Sequence, residues 1–142
     1  MKKFTILAVA LSIIIVLSLA KIGFANTKSN FDDILNAIHQ VETGGLPNNG
    51  ENAIGDNGDA IGPFQIHYAY WKDSGIPGNY EQCNGFKYSQ RVVKAYLKRY
   101  APKAVANGNA EVLARIHNGG PTGYKRSTTL GYWKKVEEAL GS

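Results

Sequence analysis

The sequence predicts an α+β fold, mostly helical, with a small irregular lobe between the first helix and the rest. Three observations carry that prediction. Four stretches repeat apolar residues at three- and four-residue spacing, the period of an amphipathic helix. The segment 44–62 is rich in Gly, Asn and Asp, which suits turns and a short hairpin. The chain has 142 residues, 44% of them apolar, which is the size of one hydrophobic core rather than two.

The first helix covers 31–42. Phe31, Ile34, Leu35, Ile38 and Val41 fall on one face, Asn30 stands at the N-cap, and Asp32 and Asp33 occupy the favourable first turn. Gly44-Gly45 and Pro47 end it. Beyond the Gly-rich lobe, Phe64-Gln65-Ile66 fits a short strand or the start of a helix, and spacing does not decide between them. Residues 74–85, with Gly75, Pro77 and Gly78, read as loop. Val92, Val93, Tyr96, Leu97 and Tyr100 mark a second helix over 88–100, ended by Pro102. A third runs from an Asn109 cap through Val112, Leu113 and Ile116 to Gly119-Gly120. A fourth starts at Thr128 or Thr129 and carries Tyr132, Trp133, Val136 and Leu140. There is no internal repeat.

Charge is distributed unevenly. The chain has 16 Lys and Arg against 11 Asp and Glu, but Lys2, Lys3 and Lys21 lie in the first 25 residues, which hold no acid. The remainder is close to balanced, without the clustered cations that neutralise phosphates, so nucleic acid is excluded as a partner. Lys2-Lys3, an uncharged apolar run from Phe4 to Ala20, and the small pair Gly23 and Ala25 match a secretory signal over 1–25, cleaved after Ala25. The alternative is an uncleaved anchor, since the run is just long enough to span a bilayer and would be the chain's one membrane contact. Either way, residues 26–142 form the working domain, secreted or periplasmic.

A small secreted domain often leans on disulfides, yet Cys83 is the only Cys. With His39, His67 and His117 scattered, no metal-ligand spacing exists either, and no cofactor is implied. The expected unit is a monomer standing on its apolar core.

Most of the acids fit a solvated surface. Glu42 stands apart: it follows Val41 in the last turn of an apolar-faced helix, where the negative end of the helix dipole and partial burial both penalise charge. A carboxylic acid so placed can donate a proton. Read structurally, Glu42 is a helix-end residue in an ordinary salt bridge. Gly55-Asp56-Asn57-Gly58-Asp59-Ala60-Ile61-Gly62 adds two acids on a polar loop, where a carboxylate stays ionised. One proton donor facing one ionised carboxylate is what glycoside hydrolysis requires. The rival reading of Asp56 and Asp59 is turn formation, and the oxygen spacing of an EF-hand is absent. His117 lacks a nucleophile beside it, and Cys83 lacks an activating partner. Tyr70, Trp71, Tyr132 and Trp133 are aromatic enough to stack on sugars but fit a core equally well. Gln65 and Asn118 carry amides suited to sugar hydroxyl and acetamido groups.

Five blocks then carry a family resemblance. Gly62-Pro63-Phe64-Gln65-Ile66 followed by Ala69-Tyr70-Trp71, Asp73, Gly75 and Pro77-Gly78 resembles the central signature of the invertebrate-type lysozymes, the destabilase family. Val41-Glu42-Thr43-Gly44 resembles its Val-Glu-Ser-Gly, and Tyr96-Leu97-Lys98-Arg99-Tyr100 its Tyr-Met-Lys-Arg-Tyr helix. Ala114-Arg115-Ile116-His117-Asn118-Gly119-Gly120-Pro121 and Gly131-Tyr132-Trp133 complete the set, in order, from about residue 33 to 138.

The resemblance implies a lysozyme-like fold with a helical part, a small β lobe and a substrate cleft. It implies Glu42 as proton donor and Asp56 as second carboxylate, with Asp59 as rival. Gln65, Tyr70, His117 and Asn118 become the expected substrate-binding residues. The implied reaction is hydrolysis, with retention, of the β-1,4 bond between N-acetylmuramic acid and N-acetylglucosamine, and the implied partner is the glycan strand of peptidoglycan. The alternatives are a lytic transglycosylase using Glu42 alone and a non-catalytic cell-wall-binding protein. Some family members resemble isopeptidases, but no nucleophile–base pair stands out for that chemistry. The chain departs from the family in its cysteines: Gly45, Ile61, Ser74 and Tyr124 stand where Cys is expected, removing cross-links worth about 2–4 kcal/mol each.

Overall fold

The structure, a computed structural model, describes residues 29–141. The expected signal segment lies outside the described residues. Helix α1 (Phe31–Thr43) starts where the Asn30 side chain accepts the Asp32 N–H at 3.1 Å and stops at Gly44, whose N–H closes on Gln40. Its apolar face puts Ile34, Leu35 and Ile38 fully out of water.

The lobe that follows is a three-stranded antiparallel sheet: β1 (Ile54–Gly55), β2 (Ala60–Ile61) and β3 (Ile66–His67), in that order. Ile54 pairs with Ile61 and Ala60 with His67. The expected hairpin is therefore present, with a third strand added from the segment whose spacing was ambiguous. Strands of two residues cannot hold a lobe by ladder bonds alone. Tertiary anchors do the rest. The Tyr80 hydroxyl lies 2.6 Å from the Ile66 carbonyl and 3.1 Å from that of Asp59, clamping two strands. Gly62 has a φ of 73° and packs on the Cys83 carbonyl so closely that a Cβ has no room. Asp56, Asn57 and Gly58 all take positive φ (51°, 57° and 106°), a left-handed turn that Asp, Asn and Gly tolerate better than other residues.

The helical part comprises α2 (Tyr68–Ser74), α3 (Phe86–Tyr100), α4 (Pro102–Asn107), α5 (Ala110–Gly119) and α6 (Leu130–Gly141). Two of these go beyond the sequence reading. α2 is aromatic-rich and only seven residues long, so it owes its shape to packing: Trp71 Nε1 donates to the Tyr88 hydroxyl at 2.9 Å and Tyr70 stacks on Tyr96. Pro102 does end α3, but it also occupies the first turn of α4, where a missing N–H costs nothing. The stretch 74–85 contains a 3₁₀ turn at Tyr80–Asn84, capped by Asn79 and Gln82 side chains.

α1 packs on α6 and α5, and the core joins Phe64 and Ile66 of the lobe to Val92, Val93, Leu97, Leu113, Ile116 and Val136 of the helices. Arg115, 9% exposed, ties α5 to the turn before α6. Its Nε donates to Thr129 Oγ1 (2.9 Å), its Nη2 to the Arg126 carbonyl (3.0 Å), and its Nη1 pairs with Glu111. Cys83 is buried and unpaired, so no disulfide supports the described residues.

Candidate active site

Glu42 sits one residue before the C-terminus of α1, its side chain 18% exposed. Two groups from distant helices converge on its Oε1. The Tyr132 hydroxyl, from α6, donates at 2.7 Å, and His117 Nε2, from α5, lies 3.3 Å away. Behind His117, the Tyr70 hydroxyl of α2 is 3.0 Å from Nδ1, and the Tyr70 ring stacks on Tyr96 of α3 at 3.6 Å between centroids. Five helices therefore supply this cluster. Burial, followed by the Glu42 charge and hydrogen bond, holds the Tyr132 hydroxyl well above its ordinary pKa. Burial, then Tyr96 and Glu42, does the same for Tyr70. Both keep their protons at neutral pH, and Tyr132 donates its own to Glu42.

Asp56 lies in the left-handed turn between β1 and β2, its side chain 66% exposed. Its Oδ2 is 3.2 Å from Nε2 of His67, itself 49% exposed. Glu42 and Asp56 line one cleft of about 280 Å³, together with Ala60, Gln65, His67, His117 and Asn118. Gln65 takes a positive φ of 48°, which bulky residues rarely adopt, and its Nε2 donates to the Gly62 carbonyl at 3.0 Å. Gly55 makes room for that amide, which fills the position of an absent Cβ.

Of the residues singled out from the sequence, Glu42, Asp56, Gln65, His117 and Asn118 meet at this cleft. Asp59 does not line it; its carbonyl takes the Tyr80 hydroxyl and its N–H closes the turn on Asp56. Tyr70 does not line it either, standing behind His117. His67 was not picked out from the sequence, and Tyr132 was weighed only for stacking on sugars, not as a partner of Glu42. His67 could have been found from the alternation Phe64-Gln65-Ile66-His67, which turns the two polar residues to one face. Tyr132 is 90 positions from Glu42, and no local pattern joins them. Among the described residues, no group of three His, Cys, Asp or Glu is arranged to hold a metal ion. Cys83 is unsuited to nucleophilic attack, since burial, and after it Glu81, pushes its thiol up to about 12.

Comparison with known proteins agrees with this architecture. The Destabilase family model matches residues 32–139. The chain is 40% identical over 110 residues to a lysozyme of Magallana gigas, covering 73% of this chain and 76% of that one. It is 46% identical over 83 residues to Lysozyme 1 of Crassostrea virginica; that match covers 57% of this chain and spans only 45% of the relative's length. Among solved structures, Tapes japonica lysozyme superimposes with a TM-score of 0.62 at 36% identity, over 75% of this chain and 87% of that one. Inhibitor-bound lysozyme from Meretrix lusoria gives 0.61 at 37% identity, with the same coverage. The chain belongs to the destabilase family of invertebrate-type lysozymes and has the lysozyme-like fold of that family.

Proposed function

We propose that this chain is a secreted muramidase that hydrolyses the β-1,4 bond between N-acetylmuramic acid and N-acetylglucosamine in peptidoglycan. The observation that carries the reading is the meeting of Glu42 and Asp56 in one cleft, the first largely buried among helices and the second exposed on the lobe. Glycoside hydrolysis uses such a pair: one carboxyl protonates the leaving oxygen, and the other, ionised, meets the positive charge that develops at the anomeric carbon.

In this mechanism Glu42 gives its proton to the glycosidic oxygen from Oε2, since Oε1 is taken by Tyr132 and His117. Asp56 acts on the sugar as nucleophile, configuration is retained, and Glu42 then accepts a proton from the attacking water. Gln65 and Asn118, at the rim of the cleft, bond hydroxyl and acetamido groups. His67 keeps the Asp56 carboxylate oriented. The enzyme works as a monomer outside the cytoplasm, delivered by residues 1–25. Among the described residues, no helix is long and apolar enough to cross a membrane.

Mass spectrometry of the products from purified peptidoglycan tests this. Muropeptides with a reducing end are expected. Anhydro-sugar ends would replace the hydrolase with a transglycosylase acting through Glu42 alone, and no release at all would leave a wall-binding protein.

A further inference from the structure

The contact between Tyr70 and His117 is not explained by substrate binding, because Tyr70 stands outside the cleft. It is explained by proton bookkeeping on His117. Glu42 Oε1 already accepts from Tyr132, so it presents lone pairs, and a group 3.3 Å away on the same oxygen is favourable only as a donor. At that ion-pair distance the Glu42 oxygen favours an N–H on His117 Nε2 over a bare lone pair. A neutral imidazole has one, which leaves Nδ1 as an acceptor. The group facing Nδ1 is the Tyr70 hydroxyl, which keeps its proton and so has one to give. Tyr70 is itself fixed by its stack on Tyr96, and His117 is only 4% exposed, so water does not compete freely for either ring nitrogen.

We propose that Tyr70 is a positioning residue that locks His117 in its Nε2–H tautomer, so that Glu42 receives donors only on Oε1 and carries its reactive proton on Oε2, toward the cleft. This rests on the reading of Glu42 as the general acid. With the other tautomer, bare Nε2 would face Oε1 and draw the carboxylic proton to that side. Glu42 would then be protonated but pointed the wrong way. A hydrogen bond at one ring nitrogen sets which of the two holds the proton, a common requirement where a His must donate in one direction.

Tyr70→Phe removes the hydroxyl and keeps the ring that stacks on Tyr96. ¹⁵N spectra of the His117 ring at neutral pH read the tautomer directly. The wild-type protein is expected to show a protonated Nε2 and a bare Nδ1, and Tyr70→Phe a mixture of tautomers. On peptidoglycan, Tyr70→Phe is expected to lower kcat about tenfold, the value of one hydrogen bond of about 1.4 kcal/mol, with KM unchanged. His117→Gln supplies an amide donor that needs no tautomer, so adding Tyr70→Phe to it should cause no further loss. A protonated Nδ1 in the wild type, an unchanged tautomer in Tyr70→Phe, or additive losses in the double variant would overturn the proposal. The spectra need no turnover, so an inactive wild-type protein would sink the muramidase reading while the tautomer still stands or falls by itself.

Discussion

Glu42 and Asp56 line the same cleft, but the side chain of the first is 18% exposed and that of the second 66%. Glu42 is gripped from α5 and α6, with α2 and α3 behind them, whereas Asp56 rides on a left-handed turn of the lobe and pairs with a half-exposed His67. The helical side holds its carboxyl by side chains that meet across 90 residues of sequence; the lobe holds its own by backbone geometry and one local pair. Two identical functional groups thus meet different solvation, which is the condition under which paired carboxylates divide the roles of acid and nucleophile.

Breaking the helical side of this comparison should have the largest effect. Glu42→Gln keeps the shape and the contact with Tyr132 but removes the transferable proton. A loss of about two to four orders of magnitude in kcat is expected, with circular dichroism unchanged. Near-normal turnover would remove Glu42 from the mechanism.

On the lobe, Asp56→Asn and Asp59→Asn are to be measured side by side. Asp56→Asn is expected to lower kcat by about two to three orders of magnitude, the usual cost of losing a charge aimed at the transition state. Asp59→Asn should leave the rate close to wild type. Asp59 does not line the cleft, and it braces the turn through its backbone carbonyl and N–H, which the substitution spares. A swapped pattern would assign the second carboxylate to Asp59. If neither variant loses rate, hydrolysis by two carboxylates gives way to single-Glu chemistry.

A smaller contrast concerns stability. Thr129 is 3% exposed, and its hydroxyl both accepts from Arg115 Nε and faces the Gly123 carbonyl at 2.8 Å. Thr129→Val leaves Arg115 Nε without its partner, while the Gly123 carbonyl keeps the Arg126 N–H, and a loss of about 1–3 kcal/mol in urea unfolding is expected. Tyr80→Phe removes a hydroxyl shared between two lobe carbonyls, of which that of Asp59 lies at the exposed edge. About 1 kcal/mol is expected there. Equal losses would mean that the lobe is braced as tightly as the helices.

The same contrast governs what the sequence discloses. α1, α3, α5 and α6 were legible because each buries one face against a single core, which leaves a three-and-four spacing. α2 left no such trace: Tyr68-Ala69-Tyr70-Trp71 favours strands, and its helix is imposed by Tyr96 and Tyr88 from another element. Pro102 reads as a stop, and its second role as a start needs α4 in view. At the cleft, the position of Glu42 at a helix end and of Asp56 before Asn-Gly can be read locally. The grip of Tyr132 and the contacts from Tyr70 through His117 to Glu42 depend on how α2, α5 and α6 come together, which no spacing encodes.

The smallest expected effect is the absence of one. Cys83 lies under the lobe, its carbonyl packed on Gly62, and it is the chain's only sulfur able to form a disulfide. Positions where the family resemblance leads one to expect Cys are filled by other means. Ser74, for example, closes the end of α2 with its hydroxyl 2.6 Å from the Trp71 carbonyl while accepting the Ile76 N–H. A reductant should therefore leave the melting temperature where it was. A thiol reagent at pH 8 should react with the unfolded chain and not with the native one, because burial holds the Cys83 thiol up at about 12. The sign of the pH effect follows from the same shift. Below about 8.5, the ordinary thiol value, native and unfolded chains both carry the proton, and the thiol makes stability independent of pH. Above it the unfolded chain loses that proton first, so the contribution of Cys83 declines as pH rises toward about 12. Cys83→Ser should flatten this alkaline decline measured by urea unfolding, whatever it does to stability at pH 7. A melting temperature that falls with reductant would instead reveal a Cys83–Cys83 dimer, and a slope unchanged by the substitution would assign the decline to the buried tyrosines around Glu42.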